Sequence, residues 1–257
     1  MPNVKISVVL PVYNSENFLD ETIQSILNQT FEDFELIIIN DGSTDKSFLI
    51  MENYKKKDKR IKIIDNKKNQ GFPTSLNIGL NEAKGKYIAI CNSDDLSHPK
   101  RFEIQFDYLE KRPPIFLVGT SAIVINQEGK EINKLRKYDD YKVLGWRLRK
   151  SCGIVHPSIM FRNEGILFDK HFGGATDYHF YYQILKKGKN VTNLPYFLVK
   201  YRIHPGSMSI YNRKEQEKLR DEVLEKFSKM KNNVGFFKKG VYSIKLLFYK
   251  KILEKWQ

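Results

Sequence analysis

Tyr87-Ile-Ala-Ile-Cys91-Asn-Ser-Asp94-Asp95-Leu-Ser-His-Pro99-Lys-Arg101 is the stretch on which the reading of this chain turns. It opens as an apolar run suited to a buried strand. It then breaks into polar residues with two adjacent carboxylates. Pro99 pre-sets a helix start, and Phe102, Phe106 and Leu109 continue on one helical face. Carboxylates at the C-terminal end of a buried strand stand where open α/β sheets bind ligands. Two of them, with no Lys or Arg adjacent, repel each other. A divalent cation relieves that repulsion, because hard cations take oxygen ligands. Magnesium or manganese held by one or two carboxylates usually carries a substrate phosphate as well. An acidic turn that caps the next helix is the plainer alternative.

Upstream, the same strand-then-helix pattern repeats. Ile6 to Val12 is a buried-strand candidate. Tyr13-Asn14-Ser15 turns the chain, with Ser15 as a cap. Phe18, Leu19, Thr22, Ile23, Ile26 and Leu27 then form one face of a helix. Glu35 to Ile39 is a second apolar strand, ending at the turn Asn40-Asp41-Gly42-Ser43-Thr44-Asp45, which opens another helix. Ile61 to Ile64 is a third strand, Asn69-Gln70-Gly71 punctuates, and Ser75 to Ala83 is helical. With Tyr87 to Cys91 as the fourth strand, the alternation predicts a parallel α/β sheet with right-handed crossovers.

After Pro113-Pro114 the pattern changes. Ile115 to Val118 and Ser121 to Ile125 are strand-like, and Asn126-Gln-Glu-Gly129 is a hairpin-type turn. Tyr138 to Arg149 is charged and poorly periodic, which predicts a mobile loop with a helical piece. Gly153 to Arg162 is strand-like, Asp177 to Lys187 is a helix ended by Gly188, and Val199 to His204 is a last extended segment. From about Arg213 the chain reads as helix. There is no internal repeat or low-complexity tract.

Composition narrows the partners. The 257 residues suffice for one large domain or two small ones, and 41% hydrophobic content supports a core. Lys and Arg exceed Asp and Glu by 44 to 30, a net charge of +14. That excess points to an anionic partner: nucleic acid, an acidic membrane or a phosphorylated substrate. Cys91 and Cys152 form no metal or disulfide pattern, which suits a reducing cytoplasm. No leader is visible before Ile6, and no apolar run reaches a membrane span.

There is no G-x-G-x-x-G after the first strand and no G-x-x-x-x-G-K-[ST], which argues against dinucleotide and P-loop folds. Instead, three strand ends carry Pro11-Val-Tyr13-Asn14, Asn40 to Asp45, and Asn92-Ser-Asp94-Asp95. In this order and spacing the sequence resembles glycosyltransferase family 2, the inverting nucleotide-sugar transferases of GT-A fold, from Ile6 to about Ser209. The resemblance implies a mostly parallel Rossmann-like sheet flanked by helices. It implies a catalytic domain over 1–210, with a nucleotide-sugar half (1–112) and an acceptor half (113–210). A basic helical extension over 211–257 would follow.

The resemblance also implies roles. Pro11, Tyr13 and Asn14 would border the base, and Asp41 would accept a hydrogen bond from it, typically from uracil; an Asx-type turn is the alternative for Asp41. Asn69, Gly71 and Asn77 correspond to a segment near the nucleotide, with Leu76 where the family often has Arg. Asp94 matches the metal-binding Asp of the D-x-D motif, and Asp95 follows it. Asn92 replaces the first Asp, keeping a hydrogen bond to a ribose hydroxyl without the charge; Ser93 lies between. Restoring that carboxylate, Asn92→Asp, would then be tolerated. Arg202 and His204 belong to a segment lining the donor diphosphate, where His204 would add a metal or diphosphate contact or be a plain loop histidine. His156 lies in a similar lining segment or only orders the Pro157 turn. Gly173 to Tyr178 resembles the family's E-D segment, with Thr176 in place of Glu; Asp177 would be the catalytic base, or a helix N-cap.

The implied reaction is a single displacement at the anomeric carbon of a UDP-sugar. Manganese or magnesium would sit on the diphosphate, and a glycan or lipid-linked glycan of bacterial surface assembly would be the acceptor. The alternative is a non-catalytic nucleotide-sugar-binding or scaffold protein of the same fold. A sugar-nucleotide pyrophosphorylase lacks its Gly-rich basic start here, and a nucleic-acid partner has no motif beyond charge. In the tail, Phe237, Val241, Ile244, Phe248 and Ile252 recur at helical spacing among lysines. Such a helix would lie on the inner face of an anionic membrane, or pack on the domain or a second subunit.

Overall fold

Strand β1 (Ile6–Val12) is apolar at every position except Ser7 and is buried along its whole length. It lies between β2 (Phe34–Asn40) and β4 (Tyr87–Ile90), parallel to both, and β3 (Ile61–Asp65) extends the sheet beyond β2. The fold is a computed structural model that describes residues 4–137, 139–207 and 213–230. Side chains of a strand alternate between faces, and here each face has its own core. Val8, Leu10, Leu36 and Ile38 pack with Leu19, Ile23 and Ile26 of α1 (Leu19–Leu27) and Met51 of α2 (Ser47–Lys55). Val9, Ile37, Ile39 and Ile88 pack with Leu76 and Leu80 of α3 (Phe72–Glu82). A buried aliphatic side chain is worth roughly 1.5–3 kcal/mol, so a parallel sheet covered on both faces is the strongest part of the frame.

Past β4 the sheet changes character. The chain makes a two-residue strand β5 (Leu96–Ser97) and then α4 (Arg101–Glu110), which buries Phe102 and Leu109. There follow β6 (Ile115–Ile125), β7 (Glu131–Leu135), α5 (Tyr141–Arg147), β8 (Met160–Arg162), α6 (Thr176–Lys186), β9 (Asn190–Arg202) and α7 (Arg213–Ser228). The strand order is β3-β2-β1-β4-β8-β6-β9-β5, with β7 on β6. β8 is antiparallel to β4 and β6, β9 is parallel to β6, and β5 is antiparallel to β9. The sheet is therefore mixed and curls back on itself. Its consequence for the site is direct: β5 pairs Leu96 with Lys200 and Ser97 with Val199, which seats the turn after β4 against the end of β9.

Several elements differ from the sequence reading. The two strand-like runs after Pro114 are one strand, β6, whose register shifts around Ser121. The helical piece read between Tyr138 and Arg149 is α5, and the segment around it is anchored by fully buried Leu144 and by Leu148 just beyond the helix; Tyr138 lies outside the described residues. Gly153 to Arg162 is a strand only at β8, because Pro157 sits in a single 3-10 turn, His156–Ser158. β9 begins nine residues before the predicted Val199, since its early residues pair with β6 rather than alternate visibly. Helix α7, within the extension read as starting at 211, puts Val223 and Phe227 into the core, Phe227 against Tyr178 and Tyr182 of α6. The amphipathic tail from Phe236 lies outside the described residues. No described helix is long and apolar enough to cross a membrane.

Candidate active site

The turn after β4 is held from below by a buried arginine. Arg202, at the end of β9 and 1% exposed, donates from Nε to the Asp94 carbonyl (2.9 Å) and from its guanidinium to the Gln127 carbonyl (2.8 Å) and Glu21 (3.1 Å). Its backbone N–H donates to Asp95 Oδ1 at 2.8 Å. Asn92 Nδ2 donates to the other oxygen of Asp95 at 3.0 Å. Thr22 of α1 donates to the carbonyls of Ser93 and Asp95. Asp95 is thus turned inward and used up structurally, and it does not face a ligand as the D-x-D resemblance implied. Arg202 likewise is buried, and the guanidinium contacts it makes are to protein acceptors. The pair of carboxylates has a cation beneath it that the local sequence does not reveal.

Asp94 points the other way. Its Oδ2 lies 3.1 Å from His204 Nε2, with the two side chains 23% and 16% exposed. Phe18 packs between the cations and the imidazole, its ring 4.6 Å from that of His204 and 4.8 Å from the Arg202 guanidinium. Burial pushes the Asp94 carboxyl above its ordinary range, opposed by the His204 hydrogen bond. Burial, and then the charge of Asp94, push Asp95 well above it. Removing two neighbouring carboxylates from water favours the protonated form unless a cation intervenes. Asp94 and His204 are the donors that fit a manganese or magnesium ion, because such ions take one or two protein ligands and complete their shell with phosphate and water. An all-protein cage of three or more His, Cys, Asp or Glu is absent among the described residues.

The loops after β1 and β2 interlock beside this pair. Asn14, at φ 47°, accepts at Oδ1 from Thr44 N (2.8 Å), while its own N–H donates to Ser43 Oγ (3.1 Å). Ser93 and Ser15 share a hydroxyl hydrogen bond of 2.6 Å. Tyr13 is left 49% exposed at the end of β1, an aromatic face open to a planar ring, and Pro11 is buried within β1. Asp41, 3% exposed, accepts from Asn66 Nδ2, Gln70 N and Gly71 N at 2.9–3.0 Å. Gly42 adopts φ +72°, and a Cβ there would lie 2.6 Å from the Lys68 carbonyl carbon, so only glycine lets the two loops meet. Asn69 is exposed and accepts from Gly71 N. Asn77 does not reach this surface. Its amide makes two 2.8 Å bonds to the backbone of Phe168, and Leu76 is core, which explains the missing Arg.

Asp177 occupies different surroundings. It is the second residue of α6, whose N-cap is Ala175, so the cap reading is set aside. One oxygen accepts from Tyr178 N at 2.7 Å and the other lies 3.8 Å from the Cys152 thiol. It borders a cavity of about 350 Å³ with Cys152, Tyr178 and, from α7, Gln216, Glu217 and Arg220. Burial and then Asp177 push the Cys152 thiol upward, which keeps it a neutral donor. His156 stands between the two regions. It packs edge-on against Phe72, next to Gly71, and its Nδ1 lies 3.4 Å from the Tyr181 hydroxyl, one turn beyond Asp177. Its Nε2 is buried with no partner among the described residues, and burial lowers its pKa.

Sequence reading missed the supports: Phe18, Glu21, Thr22 and above all Arg101. Arg101 is 1% exposed and donates to the Ile90 carbonyl and to Ser97. A signal was present. Arg101 and Gln105 recur at i, i+4 on the buried face of α4, where apolar residues belong.

A family model described as Glycosyl transferase family 2 matches residues 7–219. A glycosyltransferase of Haemophilus influenzae is 35% identical over 256 residues, 94% of this chain and 79% of that protein. The O-antigen biosynthesis glycosyltransferase WbnJ of Escherichia coli is 35% identical over 205 residues, covering 77% and 80%. Among solved structures, Staphylococcus aureus TarS with UDP-GlcNAc superposes with TM-score 0.69 at 19% identity, over 87% of this chain and 71% of that one. Mannosyltransferase PcManGT of Pyrobaculum calidifontis, with GDP-Man and Mn2+, gives 0.68 at 18%, over 86% and 63%. The fold likeness explains the curled mixed sheet, and with the family match over most of its length, this chain belongs to glycosyltransferase family 2 and has its GT-A fold.

Proposed function

We propose that the protein transfers a sugar from a UDP-sugar to an acceptor hydroxyl, inverting the anomeric configuration. The observation that carries this is the Asp94–His204 pair, a partly exposed carboxylate and imidazole at the rim of the buried Arg202–Asp95 network. Tyr13 would stack on the uracil, Asp41 would offer it the one acceptor site that its three protein donors leave, and the turn at Asn69 and Gly71 that Asp41 holds would border the ribose and phosphates. A divalent cation on Asp94 and His204 would neutralise charge developing on the leaving diphosphate. Asp177 would accept the acceptor's proton as its oxygen attacks the opposite face. The cavity between α6 and α7 would admit that acceptor. Kinship to an O-antigen enzyme favours a glycan or lipid-linked glycan. UDP release should be measured from UDP-glucose, UDP-galactose and their N-acetyl forms, with manganese and with chelator. At least one donor should turn over only with metal, and Asp94→Ala should lose both turnover and metal-dependent UDP binding. UDP binding that is indifferent to manganese and to Asp94→Ala would remove this donor site.

A further inference from the structure

We propose that the exposed face of α5 and the turn after it, from Tyr141 to Ser151, docks on an anionic lipid bilayer. Buried Leu144 and Leu148 fix this segment to the core. Helical spacing sets Trp146, 54% exposed, opposite them, with Lys142 and Lys150 one turn to either side, while Tyr141 lies nearer the buried edge. Trp and Tyr are the side chains that settle at the headgroup level of a bilayer, apolar body inward and polar tip in water. Lys150 lies over the Trp146 ring at 4.2 Å, so the aromatic anchor is paired with an ammonium.

Charge selects the occupant. Residues 136–150 hold six basic side chains and two acidic ones. Both acids are engaged: Asp139 is buried and pairs with Arg147 at 2.9 Å, and Asp140 caps α5 by accepting from Lys142 N. The exposed face is therefore cationic, and an anionic leaflet attracts it. The chain's own tail does not complement it. Arg149 donates to the carbonyl of Met230, the last described residue, at 3.2 Å, and the sequence beyond it carries seven lysines and one glutamate. Such a sequence offers a cationic face no charge complement.

The position also has a purpose. Tyr178 donates to the Leu148 carbonyl at 2.5 Å, and Cys152, next along the chain, lines the cavity of Asp177. A bilayer on this face would hold a lipid-borne acceptor close to that cavity. This purpose rests on reading the cavity as the acceptor site; the docking itself does not.

The chain has two tryptophans, Trp146 and Trp256. Full-length Trp256→Phe therefore reports from Trp146 alone. With vesicles of mixed phosphatidylglycerol and phosphatidylcholine, its emission should shift to the blue and be quenched by nitroxide on the acyl chains. Phosphatidylcholine alone should give neither. Lys142→Ala with Lys150→Ala should weaken vesicle partition about tenfold or more, with an unchanged melting temperature. Bound protein with unaltered Trp146 emission would assign binding to the tail and overturn the proposal. An equal response to neutral vesicles, or a stronger one to a single-stranded oligonucleotide, would overturn it as well. Calorimetry of UDP on the same variant separates this outcome from failure of the donor site.

Discussion

The Asp94 cluster and the Asp177 cavity are both carboxylate sites, yet they are built on opposite plans. Around Asp94, side chains from β4, β9, α1 and the β6–β7 turn are joined through Arg202 into a network with one face left outward. Around Asp177 there is one carboxylate on the first turn of a helix, a neutral thiol, and an open cavity. On the proposed reading the first arrangement would hold fixed charge against a charged ligand, and the second would leave a base with room beside it. Binding a diphosphate calls for a rigid electrostatic frame, whereas moving a proton calls for access.

Substitutions should separate the two plans. Asp177→Asn keeps size but removes basicity, and we expect transfer to fall roughly a hundred- to ten-thousand-fold. UDP binding and melting temperature should hold, since Ala175 and not Asp177 is the cap. A melting temperature that fell along with activity would erase the contrast. Arg202→Met strikes the frame. Met keeps the backbone N–H that Asp95 accepts, but it leaves the Asp94 and Gln127 carbonyls and Glu21 without their donor, and should cost about 2–4 kcal/mol in chemical denaturation, with UDP affinity lost too. A variant that folded normally and lost only UDP affinity would restore Arg202 to the nucleotide surface.

Acid should also distinguish the regions, with opposite signs. Raised carboxyls in the Asp94 cluster penalise the metal-free folded state above their unfolded pKa, and acid relieves that penalty. His179, one turn inside α6, stacks on Phe172 at 3.9 Å and is lowered to about 4, chiefly by burial. Its neutral form is favoured by folding, so its contribution is present above the unfolded value of 6.5 and is lost as pH falls towards 4. Between those values the native protein should lose about 2–3 kcal/mol that His179→Gln does not lose, measured by denaturation at each pH. Parallel pH curves would place the sensitivity elsewhere.

The smallest test concerns Asn92. The family resemblance alone led to the expectation that Asn92→Asp would be tolerated. The structure sets a cost against it in the metal-free protein, because Asn92 Nδ2 donates to Asp95 and a carboxylate there would repel it. In chelator, Asn92→Asp should cost about 1–2 kcal/mol, a lost hydrogen bond plus repulsion. Unchanged stability would mean that the frame around Asp95 is looser than drawn.

The first half of this protein was legible because its information is local. Apolar runs of strand length, the turns at Asn14, Gly42 and Gly71, and the carboxylates at strand ends all occur within short windows, and β1 to β4 lie where they were read. The second half was less so. β9 has no clean alternation, since it is buried between β6 and β5, and α5 is too short and charged to show a period. By itself the sequence determined the α/β alternation, the family, and which carboxylates are candidates for chemistry. Only the tertiary structure decided which of those carboxylates face outward. Arg202 meets Asp94 and Asp95 across more than a hundred residues, and Asn77 is drawn to Phe168. The partners of a buried polar group are chosen by how the sheet curls, and no local pattern encodes that.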